Sequence, residues 1–159
     1  MSRWSNTLNE AAVGGALASI LSAAVLAWAG RRETPSAAAP INAPSQWIWG
    51  TGEALDADGP DGRHTLTGYL VHHCAATFWA ALHAAVLSRT RLPARPLPGL
   101  AAAGVTGAVA ALVDLKLTPE RLTPGFQHRL SRGAITTTYG AFALGLALGC
   151  LAVRRAQGR

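Results

Sequence analysis

Four ionisable side chains lie inside long apolar stretches of the chain: His72, His73 and His83 in one, Asp114 in another. Such groups are costly in lipid, and where they occur they pair with one another, hold a cofactor or carry protons. Imidazole is a neutral metal ligand that titrates near neutral pH, whereas a carboxylate withdrawn from water needs donors or a cation. If the stretches are helices, positions seven and eleven apart share a face. His72, Trp79 and His83 then form one stripe, with His73 about 100° round beside Thr77 and Ala80. Asp114 is in phase with Gly107 and Ala103, on the small-residue side of its stretch, and is expected to point inwards.

Depth adds a second argument, because alternate spans run in opposite directions. The start of the second, the end of the third and the start of the fourth share one face, which gathers His72, His73, Asp114, His128 and Thr136 to Thr138, with Thr137 between them. The first loop, carrying Gln46, Trp47 and Trp49, is on the same side. A polar pocket under a Trp-bearing flap is expected, with Asp114 facing His72 or His73 and His83 left near the opposite face.

Three chemistries suit this cluster. It can be structural, with Asp114 bound to a histidine or to Arg129 or Arg132; it can be a haem or metal redox centre; or it can be a proton-coupled or small-molecule path. Paired haems in a four-helix bundle want two histidines on each of two facing helices, and the third stretch has none, so no cofactor is expected and haem or metal stays an alternative. The residues Asp56 to Gly62 follow part of a calcium-loop pattern, but Pro60 occupies the third ligand position and Thr67 the place of the closing Glu, which reads as a turn. The chain has no G-x-S-x-G, P-loop, H-E-x-x-H or C-x-x-C motif, so it names no catalytic residue and points away from an enzyme. Cys74 and Cys150 lie in separate apolar stretches, without metal-ligand spacing.

The elements that must position these residues are four uncharged or nearly uncharged stretches at 11–30, 65–87, 97–117 and 133–153. Each is about the 20 residues that a helix needs to cross roughly 30 Å of hydrocarbon. Half of the 159 residues are hydrophobic and only 14% are charged, well below the roughly 25% of soluble domains. The net charge of +6 sits in clusters beside the apolar stretches, as in membrane proteins, and does not suggest nucleic acid. The predicted fold is an all-α integral membrane bundle of four transmembrane helices, one domain over 1–159, with a long interfacial loop at 31–64. Ala27-Trp28-Ala29 imitates a signal-peptidase site, but the weakly basic N-terminus and the length of the stretch favour a retained span.

Each span carries a row of small residues at four-residue spacing: Gly14, Ala18 and Ser22; Ala76, Ala80 and Ala84; Ala103, Gly107 and Ala111; Ala141, Gly145 and Gly149. Such rows let membrane helices approach closely, within the chain or towards a second copy or another membrane protein. Thr118-Pro119 and Thr123-Pro124 each read as a helix start, the first for a single turn and the second for an early beginning of the last helix. Lys and Arg divide evenly between the two sides. The acid-free clusters Arg89, Arg91, Arg95 and Arg154, Arg155, Arg159 favour both termini in the cytoplasm.

The segments Ile41-Asn42-Ala43-Pro44-Ser45-Gln46-Trp47-Ile48-Trp49-Gly50, His72-His73 and 121–131 (Arg-Leu-Thr-Pro-Gly-Phe-Gln-His-Arg-Leu-Ser) resemble small bacterial inner-membrane proteins of unassigned function. The resemblance implies a bacterial inner (cytoplasmic) membrane location and no activity. The function expected is that of a structural or interaction component in the lipid bilayer, with a haem or metal redox protein, or a small proton-linked transporter or accessory subunit, as alternatives.

Overall fold

Backbone groups in lipid have no water to bond to, so an apolar stretch satisfies them within itself as a helix. In a computed structural model, which describes residues 3–90 and 95–158, each of the four stretches does so. They form α1 (Arg3–Glu33), α5 (His64–Arg89), α6 (Pro96–Leu112, continued by a π-helical turn over Val113–Leu117) and α7 (Arg132–Ala156). All four are long and apolar enough to cross a membrane. Arg91 and Arg159, which contribute to the expected basic clusters, lie outside the described residues. The helices run up and down around a bundle, α1 packing on α5 and α7, and α6 packing on α7 and only sparingly on α5.

The interior is built from small residues and the surface from large ones. Ala18, Ala76, Ala80, Ala103 and Ala110 are buried around Phe142 and Leu146, while Ile20, Leu70, Phe78, Val86, Val105 and Leu148 face outwards. Lipid and Leu are equally apolar, so inward-facing bulk would gain little; small residues instead bring backbones into van der Waals contact. The closest approach is between α1 and α7. A Cβ on Gly149 would stand 2.5 Å from the Gly14 Cα, and one on Gly145 would stand 2.6 Å from the Ala18 Cα. The two helices are pinned on either side of this crossing. The Arg154 guanidinium donates from Nε (3.2 Å) and Nη2 (3.1 Å) to the Glu10 carboxylate, which is nearly fully buried. At the other end the Ser131 N–H and hydroxyl donate to Glu33 at 2.6 and 2.9 Å.

The loop after α1 forms a cap of short helices: α2 (Ala39–Asn42), a 3₁₀ turn at Ala43–Ser45, α3 (Gln46–Trp49) and α4 (Thr51–Asp56). It seats on α5 at Gly68, where a side chain would collide with the Ile41 carbonyl. The Asn42 amide donates to the carbonyls of Ala57 and Gly59, both at 2.8 Å, and accepts from the Thr65 hydroxyl at 2.7 Å. The acidic turn thus fastens the cap: Asp58 accepts from Arg129 at 2.7 Å, and Asp61 accepts from the N–H of His64 at 2.6 Å, with the His64 ring Nδ1 2.8 Å from its other oxygen. Those donations from His64 hold the Asp61 carboxyl below its usual range. Trp49 lies under the Arg63 guanidinium, 4.3 Å from its ring centre, and Trp28 lies under Arg32 at 4.2 Å, as suits indoles near headgroups.

In the third connection, Thr118-Pro119 leads into a single 3₁₀ turn at Glu120–Leu122 as expected. The second expectation fails: Thr123-Pro124 does not begin α7. A separate 3₁₀ turn forms at Phe126–His128, set off by Gly125 at φ +81°, and α7 starts only after Ser131, whose hydroxyl accepts from the Ala134 N–H at 3.2 Å. Thr123 and Ser131 are both extended, but the Thr123 hydroxyl donates to the Glu120 carbonyl and the left-handed Gly125 interrupts any helix begun there, whereas nothing breaks the chain after Ser131.

The crossing sets a clear expectation. Gly149→Ile forces backbone against backbone and should destabilise the protein by about 1 to 3 kcal/mol or more, read as a lower thermal midpoint in detergent. Gly140→Ile on the same helix, where an added Cβ meets nothing within 4 Å, should leave the midpoint unchanged.

Candidate functional site

The expected polar cluster is present as three separate sets. The first joins the cap to the third connection. Gln46, fully buried, donates from Nε2 to the Thr123 carbonyl at 2.7 Å and to the Glu120 carbonyl at 3.2 Å, and the Trp47 indole N–H donates to the same Thr123 carbonyl at 3.1 Å. These two residues were picked out by sequence as a flap, and they act as the clamp that holds it shut.

The second set joins α5 to α1. His72 Nε2 lies 2.8 Å from the Ser22 hydroxyl, and His73 Nδ1 lies 2.8 Å from that of Ser19. Ser22 gives its one proton to the Ala18 carbonyl at 2.7 Å, and Ser19 gives its own to Ala16 at 3.0 Å. Each serine oxygen thus has a carbonyl to give its proton to, and it can accept from the facing imidazole nitrogen in the tautomer protonated there. The two rings, expected to diverge, both turn to α1, which settles along the His73 and Thr77 side of α5.

The third set surrounds Asp114. Its Oδ1 accepts from the Trp79 indole N–H at 3.3 Å and its Oδ2 from the Tyr139 hydroxyl at 3.1 Å. The expected pairing with His72 or His73 is not made, and the reason is depth. Trp79 is far into α5 whereas Asp114 is near the end of α6, so α6 stops well below the level at which α5 begins. The π-helical turn places Asp114 there. Thr118 closes it, donating from both its N–H (3.0 Å) and its hydroxyl (2.9 Å) to the Val113 carbonyl, and the widened backbone carries Asp114 round towards Tyr139.

The space above the short α6 is a cavity of about 510 Å³ between α5, α6 and α7. His72, Trp79, Asp114 and Tyr139 line it, and Pro44, Trp47, Leu122 and Phe126 roof it. It faces the seam where α5 and α6 barely touch, past the exposed Phe78. Four sequence candidates fall outside the lining: His73, turned to Ser19, and Gln46, bonded to the third connection, as well as His128 and Thr137. His128 is exposed, its Nε2 against the Gln127 amide at 3.1 Å, because Phe126 takes the inward position of that turn. Thr137 is exposed and bonds its own helix at Gly133; its neighbour Thr138, about 100° round, is the threonine that lines the cavity. Tyr139 was the functional residue sequence reasoning passed over, although a Tyr beside three threonines early in a span was a visible signal. His83, as expected, is at the opposite end, its Nδ1 2.8 Å from the Thr106 hydroxyl of α6.

The facing nitrogens of His72 and His73 are occupied by serines, and among the described residues no three His, Cys, Asp or Glu side chains converge. Comparison with family models, with curated proteins and with solved structures finds no match.

The arrangement around Asp114 predicts an asymmetry between two substitutions. Asp114→Leu strands the Trp79 and Tyr139 donors and should cost about 1 to 2 kcal/mol, whereas Asp114→Asn, which can still accept, should unfold near wild type in an SDS titration. Equal unfolding of the Leu variant and wild type would show that the carboxylate holds nothing together.

Proposed function

We propose that this protein is a non-enzymatic membrane component that binds an apolar small molecule between α5 and α6, beneath the cap. The observation that carries this reading is the cavity itself. Its volume of about 510 Å³ is in the range of pockets for drug-sized ligands, and its walls are predominantly apolar, with the polar side chains of the lining bonded within the protein and Asp114 its one carboxylate. A bundle that packs alanine and glycine to backbone contact elsewhere leaves this space unfilled. The reading belongs with an interaction role and a bacterial cytoplasmic membrane, the latter supported by the resemblance of the 41–50 and 121–131 segments.

The test is saturable binding of tritiated 2-methylnaphthalene to the full chain in nanodiscs, with empty nanodiscs as the partition blank. Binding at one site per chain is expected. It should disappear in Ala75→Phe, which fills the cavity from a half-exposed position on α5 and should leave the thermal midpoint near wild type. Uptake no greater than in empty nanodiscs, or uptake indifferent to Ala75→Phe, would overturn the reading.

A further inference from the structure

We infer that the molecule this cavity takes is a lipophilic ammonium ion, an apolar body carrying one protonated amine that meets Asp114. The inference rests on the binding role proposed above and goes beyond it by assigning the head group.

The argument is an inventory of hydrogen-bond capacity in the lining. The Trp47 N–H is given to the Thr123 carbonyl, and those of Trp79 and Tyr139 are given to Asp114. The hydroxyl protons of Thr118 and Thr138 go to the carbonyls of Val113 and Ala134, both at 2.9 Å. The Ser22 hydroxyl has the Ala18 carbonyl at 2.7 Å as its acceptor, and His72 Nε2 has the Ser22 oxygen as its partner at 2.8 Å. Apart from the weakly donating thiol of Cys74, every side-chain donor in the lining is used by the protein itself. No Lys or Arg is among the lining residues described. What is left over is acceptor capacity. A carboxylate has about four lone-pair positions, and Trp79 and Tyr139 take two.

Such a site can offer nothing to a carbonyl, a quinone or a carboxylate head, each of which would be buried unpaired. A phospholipid amine would bring its phosphate along, with no cation in the lining to meet it. An ammonium group supplies both the donors and the charge that Asp114 lacks. The two donors reach separate oxygens of Asp114, the geometry that suits an ionised carboxylate. In a water-poor cavity, a cation against that carboxylate makes a stronger hydrogen bond than a neutral hydroxyl does.

The probes are 2-naphthylmethylamine, 2-naphthylmethanol and 2-naphthoate, which share one apolar body, competed against tritiated 2-methylnaphthalene on the full chain in nanodiscs at neutral pH. The amine should bind about tenfold or more tighter than the alcohol, and the naphthoate should not compete. Asp114→Asn should bring amine and alcohol to within a few-fold of each other while 2-methylnaphthalene still binds. Tyr139→Phe keeps the carboxylate and should keep the amine preference, which separates loss of charge from loss of packing. Equal binding of amine and alcohol by wild type, competition by naphthoate, or an amine preference that survives Asp114→Asn would each overturn the inference while leaving the binding role intact. Failure of 2-methylnaphthalene to bind wild type at all would instead remove the binding role beneath it.

Discussion

The contact on which the rest depends is the crossing of α1 and α7, where Gly145 and Gly149 leave no room for a Cβ against the backbone of α1 at Gly14 and Ala18. In lipid, helices are not pressed together by water, so the depth of such a contact decides which pairs hold. α1 is bound on one side by this crossing and on the other by α5, where Gly15 meets Thr77 as closely, and it becomes the middle of three tightly packed helices. α6 is attached mainly to the outer side of that trio, against α7 at Gly107 and Ala143. It meets α5 chiefly through the hydrogen bonds of His83 to Thr106 and of Trp79 to Asp114. The cavity is what remains when three helices close fully and the fourth closes on one edge only.

Polar groups in the bundle follow the same division. Glu10 with Arg154, and the serines of α1 with His72 and His73, join helices that already touch, so these groups meet across close contacts. Asp114 differs because it stands where two helices do not meet. Trp79 and Tyr139 reach it from opposite walls, and their length is what lets α5 and α7 share a carboxylate across a gap that smaller residues could not span. A buried pair between close helices is mostly structural. A carboxylate with spare acceptor positions beside an empty volume is available to something else.

Much of the architecture was legible in the sequence because it depends on composition over long windows. Four stretches of bilayer length gave four helices, and the small-residue rows came out buried at Gly14, Ala18, Ser22, Ala76, Ala80, Ala84, Gly145 and Gly149. Helical phase also placed His72 and Trp79 on one wall, and His83 at the other end. What could not be read was axial offset. Counting inwards from loop boundaries set Asp114 level with His72, but α6 ends lower than α5 begins, and the third connection descends to fill the difference. Phase within Thr136 to Thr138 was likewise open by about 100° per residue, and the structure chose Thr138. The start of α7 was not set by the cap residue alone: Thr123 and Ser131 are both extended, and it is the left-handed turn at Gly125 that keeps a helix from running on from Thr123.

The buried pair of Glu10 and Arg154 also bears on how the chain is made. Its members are 144 residues apart, on the first and the last of the four spans. As the protein leaves the ribosome, α1 emerges with Glu10 at the edge of its apolar stretch and its crossing face uncovered, while the helix that packs on both is still unsynthesised. Until α7 arrives, α5 can cover only one side of α1, through the two serine–histidine contacts. The closest crossing between spans in the finished protein is thus the last that can assemble.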